Sequence, residues 1–193
     1  MRNRLVAIAA ILGSMLASPV WAEQYTIDPA HSTVGFSVSH LVISRVSGSF
    51  PDVKGEIVYD ESDITKSSVN VTINAASINT NNADRDKHLR SPDFLDVEKH
   101  PTITFKSARI EPHGTGHYAA VGTLTIHGVS KEVSIPFMVT GKITDPWGKT
   151  RMGVAASLKL SRQDYGVTWN KPLEAGGMVV GNELDVNLAI EAI

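Results

Sequence analysis

The chain has 193 residues, with 18 Lys and Arg against 20 Asp and Glu, and so offers no electrostatic footprint for nucleic acid or an anionic membrane surface. It has no cysteine, which excludes disulfides, thiolate catalysis and cysteine-held metals together. Stability must come from buried apolar surface.

Residues 1–22 read as an export leader: Arg2 and Arg4 precede an apolar stretch from Leu5 to Leu16, and Val20 and Ala22 fit the positions three and one before a cleavage. The stretch is shorter than the roughly 20 residues a spanning helix needs. Cleavage after Ala22 places the protein in the periplasm and leaves 171 residues, 23–193, as one domain carrying 16 basic and 20 acidic side chains.

Along this domain the apolar residues alternate with small or polar ones, the period-two pattern of a strand with one dry face. The first run is Val34, Phe36 and Val38, followed by Gly55, Ile57 and Tyr59, and then by Val69, Val71, Ile73 and Ala75. A helical interruption comes next, with Asn82 as cap of a short helix through Arg90 and Ser91-Pro92-Asp93 as a further turn. His100-Pro101 forces extended backbone and restarts the sheet at Ile103 and Phe105.

The pattern returns at Gly122, Leu124 and Ile126, and at Val133, Ile135, Phe137 and Val139. The last runs are Val154, Ala156, Leu158 and Leu160, and Leu184, Val186, Leu188 and Ile190. Short turns such as His127-Gly128-Val129-Ser130 and Asp145-Pro146-Trp147-Gly148 make neighbouring strands antiparallel. Eight amphipathic strands with so little helix must close into a barrel or split into a sandwich, and the pattern fits both. Small inward residues, Gly55, Ala75, Gly122 and Ala156, fit either unfilled volume or strand twist.

Several segments, in order, resemble the YceI-like family of bacterial periplasmic polyisoprenoid-binding proteins. They begin with Tyr25-Thr26-Ile27-Asp28, His31-Ser32, Val34-Gly35-Phe36 and His40. Asn79-Thr80-Asn81, the stretch from Arg85 to Ser91, Asp93-Phe94-Leu95-Asp96 and Pro101-Thr102-Ile103-Thr104-Phe105 follow. The stretch from Gly122 to Lys131, Asp145-Pro146-Trp147-Gly148 and Asp164-Tyr165-Gly166 complete the series. The resemblance implies an all-β fold, a single antiparallel eight-stranded lipocalin-like β-barrel with short helical connections. It also implies a polyisoprenoid or similar long-chain lipid, an isoprenoid quinone or a fatty-acid derivative, as the bound partner.

With the dry faces turned inward, the expected lining is Val34, Phe36, Val71, Ile73, Ile103, Phe105, Leu124, Ile135, Phe137, Val154, Leu158, Val186 and Leu188. Arg85 and His88, on the helical connection, are the candidate head-group contacts. Arg162 and Asp164 read as a corner held by an ion pair. The histidines at 31, 40, 88, 100, 113, 117 and 127 have no recognisable ligand spacing, and no nucleophile elbow occurs, so neither a metal, a cofactor nor a catalytic residue is expected. Two rivals stand beside the carrier. One is an enzyme acting on a lipophilic substrate with His31, His40 or His88 as acid or base; the other is a stress-related interaction protein with a solidly packed barrel. A carrier would touch membranes or membrane proteins transiently, and an edge strand left by imperfect closure would let two copies pair as a homodimer.

Overall fold

The computed structural model describes residues 22–193, so the expected leader lies outside the described residues except for Ala22. Ten strands follow in chain order: β1 (Glu23–Thr26), β2 (Thr33–His40), β3 (Ser44–Ser49), β4 (Val53–Tyr59), β5 (Ser68–Asn74), β6 (Thr102–Pro112), β7 (His117–Ile126), β8 (Val129–Thr144), β9 (Thr150–Ser161) and β10 (Val180–Ala192). They form one antiparallel sheet in the order β1-β4-β5-β6-β7-β8-β9-β10-β2-β3. The expected closed eight-stranded barrel is therefore corrected to a curled ten-stranded sheet.

The added strands are β1 and β3, and both lack the alternation that marks the rest. β3 carries one apolar side chain, Val46, among Ser, Arg and Gly, and is held by backbone pairing to β2 from Gly35↔Ser49 to His40↔Ser44. Four-residue β1 offers only Tyr25.

Curvature comes from register shifts, which bend a strand and increase its twist. One lies between Ser107 and Arg109 on β6, another between Val139 and Gly141 on β8. Gly122 faces the first, where a Cβ would stand 2.2 Å from the Lys106 carbonyl oxygen; at Gly55 the same atom would stand 2.4 Å from that of Asn70. These two glycines thus serve close strand approach rather than empty volume.

The curl brings the sheet back upon itself at one end. There the Thr26 N–H donates to the Ile193 carbonyl (2.6 Å), the Ile193 N–H returns a bond to Thr26 (2.8 Å), and Asp28 N–H reaches Glu191 (2.8 Å). On the far margin β3 exchanges backbone bonds with the segment after β5, Ser49 with Asn79, both at 2.9 Å.

Turn chemistry follows the residues. His127 and Gly128 both have positive φ, 51° and 73°, as the tight hairpin between β7 and β8 demands. The helix α1 (Ala83–Arg90) starts at Asn82, whose side-chain oxygen accepts from the Arg85 N–H at 2.9 Å. No helix among the described residues is long and apolar enough to cross a membrane.

Candidate functional site

The dry faces of the curled sheet pack into one cluster but leave space between them. They surround a cavity of about 300 Å³, at the lower end of the roughly 300–1,000 Å³ typical of ligand pockets. Eight strands supply its wall, β2 and β4 to β10, because period-two alternation points every second side chain inward. The structure places all thirteen lining residues expected from the sequence around this space. Others that alternation alone did not single out are Ile27 beside β1, Leu89, Phe94 and Leu95 from the helical connection, and Tyr165 and Val167 after β9. The cavity weighs against the solidly packed interior that the interaction-protein rival requires.

The helical connection covers one end. Three of its charges hold it there: Asp86 is buried and accepts from the Thr80 N–H (2.9 Å) and hydroxyl (2.6 Å). Arg85 donates to the Thr80 hydroxyl (2.7 Å) and carbonyl (2.9 Å), and Arg90 to the carbonyls of Ala76 (2.7 Å) and Ile78 (2.8 Å). Arg85 is accordingly outside the lining. His88 is one layer further out, its ring edge-on to Phe94 and Trp169 at 4.9 and 5.0 Å and its Nε2 2.8 Å from Asp93. Among the described residues no histidine lines the cavity, and His31 and His40 lie outside it with His88.

Arg162 is the charged side chain in the lining. The expected ion pair with Asp164 does not form. Residues 162–165 make a 3-10 turn, in which positions two apart face different ways, and Asp164 looks instead toward Lys131 at 3.8 Å. Arg162 turns inward and braces the corner through backbone carbonyls: Nε donates to Gly181 (2.9 Å), and Nη1 to Val167 (2.8 Å) and Trp169 (2.9 Å). Burial pulls its pKa below the ordinary arginine value, with no neighbouring charge contributing, yet a guanidinium keeps its proton in a protein.

Two clusters bring metal-ligating types together. Asp96, His100 and His127 have ligand atoms within 4.8 Å of one another, a grouping hidden from the sequence because the sheet, not local spacing, unites it. Asp96 is already bonded to Lys99 (2.8 Å), and His127 Nδ1 faces the Tyr165 carbonyl (3.3 Å). In the second cluster, Asp28, His31 and Glu191, the carboxylates meet Arg151.

A family model described as a YceI-like domain matches residues 25–192. The chain is 44% identical over 160 residues to a UPF0312 protein of Serratia proteamaculans (strain 568), covering 81% of this chain and 83% of that one. Among solved structures it is similar to BcnA of Burkholderia cenocepacia, with a TM-score of 0.77 at 22% identity over 86% of this chain and 99% of that one. It is also similar to a polyisoprenoid binding domain from Saccharophagus degradans implicated in plant cell wall breakdown, with a TM-score of 0.64 at 15% identity over 87% and 97% of the two chains. At these identities the two structures speak to the fold alone.

Proposed function

Since the chain belongs to the YceI-like family, we propose that it is a periplasmic carrier that holds a polyisoprenoid or similar long apolar lipid in its cavity and releases it unchanged. The observation that carries this reading is the largely apolar wall, built mainly from eight strands around about 300 Å³ of space. Such a wall offers dispersion contacts and dryness with few directional bonds, and so selects length and thickness over chemical detail. The naming of the Saccharophagus degradans relative as a polyisoprenoid binding domain agrees with it. The position of every histidine among the described residues outside the wall favours a carrier over an acid–base enzyme.

Each buried methylene contributes about 0.8 kcal/mol relative to water. A membrane offers the lipid nearly the same gain, so transfer between bilayer and cavity is close to balanced and exchange needs little driving force. Exchange also needs contact. Leu41, Val42 and Ile43, on the β2–β3 turn, are exposed apolar side chains, as is Met178 on the adjoining loop, where the Leu41 N–H donates to the Val179 carbonyl at 2.8 Å. They give the carrier an apolar tip for transient membrane contact.

The test is native mass spectrometry of the protein purified from its own periplasm, followed by organic extraction. A stoichiometric prenyl or acyl species is expected. A protein that is empty, and stays empty when offered isoprenoids, quinones and fatty acids, would sink the carrier reading.

A further inference from the structure

We propose that Arg162 anchors the polar end of the cargo, so that the cavity is built for an apolar chain ending in an anionic oxygen group, a carboxylate or a phosphate. This rests on the carrier reading and narrows it.

Arg162 is 7% exposed and lies in the cavity wall, where nearly every neighbour in the wall is apolar. A guanidinium has five N–H donors. Three of the bonds they make are to the carbonyls of Gly181, Val167 and Trp169, and all three come from Nε and Nη1. Nη2 makes none: among the described residues it is the buried side-chain polar atom left without a hydrogen-bond partner, and its neighbours close it off from the cavity, so a head group reaches it only when they shift aside. Buried donors in folded proteins are normally satisfied, and an unmade bond to a charged group is the costlier kind.

Charge is uncompensated as well. The bonds Arg162 makes are to neutral carbonyls, and the acid nearest in sequence, Asp164, is turned to Lys131. A buried cation without a counter-ion is a strained arrangement unless something else supplies one. A carboxylate or phosphate supplies both missing things, an acceptor for Nη2 and a negative charge. A quinone or amide carbonyl supplies the acceptor alone, and a hydrocarbon supplies neither.

Position fits the role. Arg162 follows β9 directly, and β9 runs away from it along the wall through Leu160, Leu158, Ala156 and Val154 to Met152 at the other end. A head group at Arg162 leaves the chain to lie along that row. Arg85 and His88 then need no ligand contact, since each already has its partners within the protein.

The experiment compares two matched pairs on the delipidated wild-type protein at pH 8: oleate against oleyl alcohol, and farnesyl phosphate against farnesol. Dissociation constants are measured by calorimetry, and arginine side-chain resonances are followed by NMR in parallel. At least one anion is expected to bind about tenfold or more tighter than its own alcohol and to shift the Arg162 resonances, with the alcohol shifting them little. The pair with the larger ratio tells a fatty acid from a prenyl phosphate. In Arg162→Met the ratio is expected to fall to within about twofold while the alcohols still bind. Should that variant fail to fold, the wild-type ratios and resonances decide alone. Equal binding of anion and alcohol, or an anion preference that survives in a folded Arg162→Met, overturns the anchor and leaves the carrier standing. Failure of all four to bind overturns the anchor, and the carrier reading with it when an isoprenoid quinone fails to bind as well.

Discussion

Arg151, near the start of β9, and Arg162, just past its end, differ in what neutralises them. Arg151 meets three carboxylates: Asp145 at 2.7 Å, Asp28 at 3.3 Å and Glu191. They come from the β8–β9 hairpin, the segment after β1, and β10, the elements that converge where the sheet seals upon itself. Arg162 has backbone carbonyls and a donor left over. Where an arginine's task is to fasten strands together, the chain supplies its counter-charges. Where the wall of the cavity ends, it does not.

The packing around the two ends should differ in the same sense. Met152, 1% exposed, is buried with Tyr25 and Ala192 beside Arg151, whereas Leu158, further along β9, is half-buried against open space. Met152→Ala should remove about 3 kcal/mol of stability in urea unfolding followed by tryptophan fluorescence, and Leu158→Ala at most about 2 kcal/mol. Equal losses would erase the distinction between a packed end and a hollow body.

A smaller effect should appear in acid. Arg151 holds the Asp145 carboxyl below the ordinary value of 3.8, helped by the Lys149 and Trp147 N–H groups, and His31 does the same for Asp28, with Arg151 among the lesser causes. A depressed carboxylate stabilises the fold above its unfolded pKa, and that contribution is lost as pH falls through the lower folded one. The urea midpoint should therefore drop steeply below about pH 4. Arg151→Met should lower the midpoint at pH 7 and flatten the acid limb; an acid limb unchanged in the variant would mean other groups set it. Smallest of all is Lys159→Ala. Its pair with Glu183 at 2.7 Å is exposed on both sides, and its loss should leave the midpoint unchanged within error.

The same contrast governs what was legible in the sequence. The eight strands that alternation marks are the eight that line the cavity, because a period of two exists only where one face of a strand is kept dry. β1 and β3 lie at the margins of the sheet and are held mainly by backbone pairing, which leaves no hydrophobic signature. The thirteen lining residues follow from the same periodicity and needed no knowledge of closure. Polar contacts were less accessible. That Arg162 is bonded to 167, 169 and 181 rather than to Asp164 depends on where three carbonyls converge, which no local pattern encodes. The helix carrying Arg85 and His88 was readable from its Asn82 cap, but the attachment of Arg85 to Thr80 was not.

The bonds between Thr26 and Ile193 also bear on how the protein is made. They join residues from opposite ends of the described chain, and β10 is the strand between β9 and β2. A growing chain that has not yet reached β10 leaves β9 and β2 as open edges, however well its earlier hairpins have formed. Synthesis order thus postpones the finished sheet until β10 is present, and pairings this remote in sequence form slowly. A sheet so arranged stays unfinished, and available to whatever escorts it, until β10 arrives.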